Sequence, residues 1–221
     1  MRESRMTALA GITFALLFFA ASALVVGEPP DYGAPDGEWT RWAEEADGAN
    51  RVALVLVLLA GVAFLLFAGA LRRALEGGSL ATTALAGGVV GVIGLIVAIV
   101  LMGVGSMHGA ESDPTVTQSV VEAATTGFLL ASSGFCAHLL AVGLETLRTG
   151  AFARWSGFVA LVGAGGFLVT FLTAVDPGTD SPFGVGFPIG FLCLAIWTAA
   201  ASVRLSAVAA PSPARPLPST R

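Results

Sequence analysis

Six apolar runs, each of about 20 residues, dominate this sequence and limit what it can fold into. A helix of about 20 residues rises about 30 Å, which matches the hydrocarbon thickness of a bilayer. Only 12% of the residues are charged, whereas about a quarter are charged in an ordinary soluble domain. The sequence therefore predicts an all-α, integral membrane six-helix bundle. The predicted helices cover residues 7–26, 52–71, 84–105, 120–144, 156–175 and 185–203.

The basic residues are distributed unevenly between the two sides of such a bundle. Basic residues are rare in translocated loops, so the side that holds most of them is expected to be cytoplasmic. With the N-terminus inside, only Arg41 and Arg51 of the eleven basic residues fall outside. The pattern predicts an N-in/C-in, multi-pass protein of the cell (plasma) membrane.

The segment between the first two predicted spans, residues 27–51, is acidic and begins with Pro and Gly. Its second half has the apolar spacing of one helix face, formed by Trp39, Trp42, Ala43 and Ala46. We predict a short external interfacial helix that lies along the membrane surface, with both tryptophans as interfacial anchors. A ligand-binding lid is the competing hypothesis.

The domain organisation is simple. Residues 1–205 are predicted to form a single six-helix transmembrane domain, and residues 206–221 a disordered, Pro-rich cytoplasmic tail. The basic start and the sequence Ala21-Ser22-Ala23 also fit a signal peptide with its cleavage site. Whether residues 1–23 are cleaved stays open at this stage.

The fourth predicted span carries more polar residues than the other five, which makes it the candidate polar intramembrane site. Its polar residues are Glu122, Thr126, Ser133, Cys136 and His138. At about 100° per residue the first four fall on one helix face, and His138 lies almost opposite Glu122. A carboxylate in lipid usually faces a cavity or an ion partner. We therefore predict either a polar cavity mouth at Glu122 or an external ion pair between Arg51 and Glu122.

The two histidines raise the hypothesis of a b-type haem subunit, because paired axial histidines are common in helical bundles. In the predicted topology, His108 and His138 differ in depth by about 20 Å, which disfavours a shared haem. We expect His138 to be a neutral, structural histidine. Its ring should bond a Ser, a Thr or a backbone carbonyl of another helix, notably on the second, fifth or sixth span.

The sequence contains no motif typical of catalysis. It has no phosphate loop, no HExxH, no GxSxG and no CxxC, and Cys136 and Cys193 both fall within predicted spans. The basic residues are too scattered to indicate nucleic-acid binding. We therefore expect a non-enzyme without catalytic, cofactor-binding or metal-binding residues and without a cofactor.

Short motifs at the ends of the spans carry a family resemblance. They are Asn50-Arg51, the run from Gly69 to Arg72-Arg73, and Phe187-Pro188-Ile189-Gly190 followed by Trp197. Residues 7–205 resemble a family of uncharacterised polytopic, six-span membrane proteins common in GC-rich Gram-positive bacteria. The resemblance implies the fold but brings no activity or cofactor.

Three classes of function fit these observations. The first is a non-enzymatic interaction or scaffold component of a membrane complex, with the lipid bilayer and other membrane protein subunits as partners. The second is binding or transport of a small or lipidic molecule through the polar face of the fourth span. The third, disfavoured by the histidine depths, is a b-type haem redox subunit.

Overall fold

The computed structural model describes residues 2–24, 29–31, 33–75, 78–109, 113–174 and 182–208. Within these residues the secondary structure is helical, and no strand occurs. The six helices are α1 (Arg2–Leu24), α2 (Asp36–Ala74), α3 (Ser79–Gly109), α4 (Pro114–Thr149), α5 (Arg154–Thr170) and α6 (Gly186–Val208). Short 3₁₀ turns follow α5 and precede α6, at Phe171–Ala174 and Pro182–Val185.

Helices α2 to α6 are long and apolar enough to cross a membrane. Helix α1 contributes a shorter apolar stretch, Leu9–Leu24. The chain is therefore a helical membrane protein, as predicted. A membrane span by α1 and the direction of insertion stay predictions.

The helices form a closed ring in which each packs against the next along the chain and α6 packs back against α1. Neighbouring helices run antiparallel. For example, the start of α3 contacts α4 at His138, and the end of α3 contacts α4 at Val121, which comes earlier in α4. One end of the ring carries Arg72, Arg73, Arg148, Arg154 and Arg204, and we name it the arginine-rich end. The opposite, acidic end carries Asp36, Glu38, Glu44, Glu45 and Glu122.

Aromatic rings fill the interior of the ring of helices. The ring of Phe64 lies 4.9 Å from that of Phe14 on α1 and 5.6 Å from that of Phe135 on α4, between centroids. Further fully buried rings on α2, α5 and α6 are those of Phe67, Phe167 and Trp197. The bundle therefore has an aromatic core at its centre.

Backbones come closest where α3 meets α4. A Cβ added to Gly134 would lie 2.6 Å from Cα of Gly91, and one added to Gly94 would lie 2.8 Å from Cα of Ala131. Such distances leave no room for side chains, so small residues on both helices allow direct backbone contact. The glycines of α3 thus pack within the chain.

The predicted separate interfacial helix is wrong, because the residues of that segment begin α2 itself. Helix α2 runs without interruption for 39 residues, and Arg51 Nε bonds Asp47 Oδ1 at 2.7 Å across the expected junction. Trp39 is only 3% exposed and packs with Trp42 against Val121 of α4. These tryptophans are buried because α3 and α4 extend alongside α2, so they do not anchor a membrane surface.

Most predicted spans are shorter than the helices that contain them. Hydropathy marks the apolar window, whereas a helix continues as long as its backbone is supported by packing or capping. Residues 206–208 of the predicted tail belong to α6, and residues 209–221 lie outside the described part of the chain. Residues 175–181, between the two 3₁₀ turns, lie outside it as well.

Candidate functional site

The interior histidine is the most distinctive polar group of the bundle. His138 on α4 is fully buried, and its Nδ1 lies 2.7 Å from the carbonyl oxygen of Ala84 on α3. A carbonyl can only accept, so the imidazole donates from Nδ1. Charge is costly in this environment. The neutral ring therefore carries its proton on Nδ1 and its lone pair on Nε2.

Two glycines of α3 create the space for this ring. A Cβ added to Gly87 would lie 2.7 Å from the backbone nitrogen of His138, and one added to Gly88 would lie 3.1 Å from Nδ1. Any side chain at these positions would displace α4 or its imidazole. The sequence thus brings His138 against the first turns of α3, near the arginine-rich end.

Aromatic groups enclose the rest of the imidazole. The ring centroids of Phe64 and Trp197 lie 5.2 Å and 5.7 Å from that of His138, and both rings are edge-on to it. Within the described residues, neither Nε2 of His138 nor Nε1 of Trp197 has a hydrogen-bond partner. The site therefore combines a buried acceptor on α4 with a buried donor on α6.

Buried hydroxyl groups are present elsewhere in the bundle but do not converge on His138. Thr198 and Ser202 on α6 pack against Gly11 of α1, whereas Thr146 on α4 packs near Gly157 of α5. These hydroxyls also lack a side-chain or backbone partner among the described residues. They mark separate helix interfaces rather than one shared cavity.

The predicted polar face of α4 is divided by the structure. Glu122, Thr126 and Ser133 are exposed on the outer surface of the bundle, and the Ser133 hydroxyl donates to its own helix at Leu130, 2.7 Å away. Cys136 is buried instead, and its thiol donates to the carbonyl of Ala164 on α5 at 3.4 Å. The five predicted residues therefore do not form one site, although Cys136 and His138 both face the interior.

The predicted ion pair between Arg51 and Glu122 is not formed. Arg51 bonds both carboxylate oxygens of Asp47, at 2.7 Å and 3.0 Å. Glu122 accepts a hydrogen bond from Nε2 of Gln118 at 3.0 Å. Partners four residues apart on one helix need less ordering than a contact between helices, which favours Asp47 over Glu122 as the partner of Arg51.

The geometry of α3 also bears on the haem hypothesis. His138 contacts α3 at Gly88, whereas His108 lies 20 residues further along the same helix, about 30 Å at 1.5 Å per residue. One haem cannot join two positions so far apart. Among the described residues, no group of three or more His, Cys, Asp or Glu side chains could hold a metal ion.

Sequence reasoning identified His138 but missed its surroundings. Trp197, Phe64 and Ala84 carry no sequence pattern that links them to a histidine far away in the chain. Searches against protein-family models, curated proteins and solved structures found no match to this chain. The resemblance to a six-span family therefore stays a prediction.

Proposed function

We propose that this protein is a non-enzymatic interaction or scaffold subunit of a membrane complex. It binds a partner protein through a helical projection at its acidic end, formed by the start of α2, the end of α3 and the start of α4. The observation that carries this proposal is the length of α2. Its 39 residues correspond to about 58 Å of helix, whereas a bilayer has about 30 Å of hydrocarbon. Almost half of α2 therefore lies beyond the hydrocarbon region.

The projection is a packed structure rather than a single extended helix. Helices α3 and α4, of 31 and 36 residues, are also longer than a span requires. A small hydrophobic core joins the three helices, formed by Trp39, Trp42, Ala43, Ala46 and Val121, with Ala34 and Met102 against it. Such a core supports a rigid surface that can be presented to a partner.

The outer side of the projection is strongly acidic. Glu38, Glu44 and Glu45 are exposed on α2, and Arg41 is the one exposed cation between Asp36 and Asp47. The arginine distribution of the whole chain favours an external location for this end. A surface of one charge sign favours a partner of opposite sign and fast association.

The interior of the bundle supports an interaction role over transport. Aromatic rings from five of the helices meet at its centre, including those of Phe14, Phe64, Phe135, Phe167 and Trp197. Ion-coupled transport is usually built on a carboxylate or a broken helix near the midplane. Helices α2, α3 and α4 run unbroken through their apolar parts, and Glu122 faces outward.

Site-specific photo-crosslinking in native membranes tests this proposal. A photoreactive residue at Arg41 should give a defined crosslinked product, because this position lies among the exposed carboxylates. The same residue at Arg72, exposed at the opposite end, is the matched control and should not give that product. Combined Glu38→Gln, Glu44→Gln and Glu45→Gln substitutions should remove the product, and high salt should weaken it.

Two results would contradict the proposal. One is an identical crosslink pattern from Arg41 and Arg72. The other is a product at Arg41 whose yield is insensitive both to the triple Gln substitution and to salt. Either outcome would mean that the acidic surface does not select the partner.

A further inference from the structure

A cavity of about 320 Å³ opens at the arginine-rich end of the bundle, far from the acidic projection. Its walls come from the connection between α4 and α5, the first turn of α5 and the last turns of α6. Ligand pockets begin at about this volume. The cavity is large enough for part of a small amphiphile.

The chain between α4 and α5 is built to hold this cavity open. Gly150 ends α4 with φ 68°, a left-handed conformation that favours glycine, and its N–H bonds the carbonyl of Thr146. Phe152 then turns inward, is only 6% exposed, and packs edge-on to Trp197 at 5.9 Å between ring centroids. The connection is thus anchored in the aromatic core, and the cavity lies beside a fixed wall.

The lining is mostly apolar and carries one charged group, while the hydroxyl of Ser156 in the lining donates to the carbonyl of Ala153. Phe152 and Ala200 contribute apolar wall, Trp155 is 54% exposed at the rim, and Arg204 lines the cavity from α6. Arg148 at the same end lies 3.9 Å from Glu145. Within the described residues, no carboxylate lies within ion-pair distance of Arg204. Its guanidinium is therefore available to an anion.

We propose that this cavity binds an anionic phospholipid of the adjoining leaflet. Arg204 would hold the lipid phosphate, since a planar guanidinium donates two parallel hydrogen bonds to phosphate oxygens. The glycerol region would lie against Phe152 and Ala200. Trp155 suits the level of the headgroups, where indole rings concentrate in membrane proteins.

The location and the charge both favour this occupant. Helices α2, α4 and α6 end, and α5 begins, at a face that carries Arg72, Arg73, Arg148, Arg154 and Arg204. Basic recesses between helix ends at such a face recognise anionic headgroups. The first turn of α5 has no side-chain cap. The backbone N–H of Ser156 bonds the carbonyl of Ala153, which leaves the N–H groups of Arg154 and Trp155 as donors beside the cavity. This inference concerns a different surface from the proposed projection and does not depend on it.

Native mass spectrometry of the full-length protein tests the lipid site directly, with phosphatidylglycerol and phosphatidylcholine as the added probes. Wild type should retain phosphatidylglycerol in preference to phosphatidylcholine. Arg204→Gln should weaken phosphatidylglycerol binding at least tenfold, because the loss of one charged hydrogen bond already lowers affinity about tenfold and the guanidinium would donate two. Ala200→Leu, which narrows the cavity, should also weaken binding, and inorganic phosphate should not displace the lipid.

Arg72→Gln is the matched control, because Arg72 is exposed at the same end but does not line the cavity. Equal loss of lipid in Arg72→Gln and Arg204→Gln would overturn the proposal in favour of general surface charge. Undiminished binding in Arg204→Gln would overturn it as well. Arg204 is exposed, so its substitution tests the site even if Ala200→Leu fails to fold.

Discussion

The carbonyl oxygen of Ala84 on α3 accepts a hydrogen bond from Nδ1 of His138 on α4 across 2.7 Å in the interior of the bundle. A helical carbonyl has a second lone pair, so it can accept this bond without leaving its own helix. The bond occurs where Gly87 and Gly88 bring the two backbones together. It therefore fixes the rotation of α4 about its axis relative to α3.

The tautomer of His138 follows from this bond. We expect the neutral ring to carry its proton on Nδ1, because Ala84 O can only accept. The chain has two histidines, so a His108→Gln variant leaves one imidazole to observe. Nitrogen NMR of that variant distinguishes the two tautomers, and a proton on Nε2 would contradict the bond.

Loss of the imidazole should lower stability modestly. His138→Leu keeps much of the side-chain volume between Phe64 and Trp197 but removes the donor to Ala84. We expect the free energy of unfolding to fall by about 1 kcal/mol, the net value of one hydrogen bond. Thermal unfolding in one detergent measures the change. A Leu variant as stable as wild type would mean that the ring is not retained for structure, which would reopen a ligand role for Nε2.

A side chain added at the α3–α4 contact should lower the stability of the fold more than one added at an exposed glycine. In Gly134→Ala the new Cβ would lie 2.6 Å from Cα of Gly91, and backbone cannot yield as a flexible side chain can. We expect a loss of about 1–3 kcal/mol, the usual cost of overpacking. Gly165→Ala is the control, since nothing lies within 4 Å of its added Cβ. The control should be neutral or more stable, by up to about 1 kcal/mol, because alanine favours helix.

Hydropathy was enough to predict a helical bundle and the approximate positions of its six helices. Each predicted window falls mainly inside one of the six helices, because burial of about 20 apolar residues in lipid decides their position. The extension of α2 could not be predicted in the same way. Whether the Trp39 and Trp42 strip faces lipid or protein depends on the length of α3 and α4, a tertiary property that local periodicity does not contain.

The candidate site was predictable only in part. Periodicity correctly separated His138 from Glu122 on opposite sides of α4. It also placed Cys136 on one face with Glu122 and Ser133. A helix in the ring packs against a neighbour on each side, so the part of that face with Cys136 is buried and the part with Glu122 and Ser133 is exposed. The predicted partner on the second, fifth or sixth span was wrong: the partner of His138 is a backbone carbonyl of α3, which has no side-chain signature in the sequence.

The direction of insertion is a prediction from charge alone. If the arginine-rich end is cytoplasmic, reporters fused after Arg221 and within residues 106–118 should report opposite sides of the membrane. A six-span chain places its two termini on the same side, so a reporter before Thr7 should agree with the one after Arg221. Disagreement between the two terminal reporters would mean that α1 does not span.

The N-terminus of α4 provides a pH-dependent prediction outside the membrane. The carboxylate of Asp113 accepts a hydrogen bond from the backbone N–H of Thr115 at 2.9 Å and caps the helix ahead of Pro114. This bond to the backbone favours the charged form, so it lowers the pKa of Asp113 in the folded protein. A lowered pKa means that the cap stabilises the fold above the unfolded value of about 3.9, and that this contribution is lost as the pH falls through the folded value.

The test compares Asp113→Ala with Asp113→Asn from pH 7 to pH 3 in one detergent. Asp113→Ala should unfold at a lower temperature than wild type at pH 7, because the first amides of α4 lose their acceptor. That difference should shrink as the pH falls below the unfolded value of about 3.9 toward the lowered folded value, because protonation of Asp113 then favours the unfolded chain. Asn keeps a neutral acceptor, so Asp113→Asn should retain its cap across the range. A difference between wild type and Asp113→Ala that stays constant down to pH 3 would mean that the ionised carboxylate contributes nothing to holding α4 at its first turn.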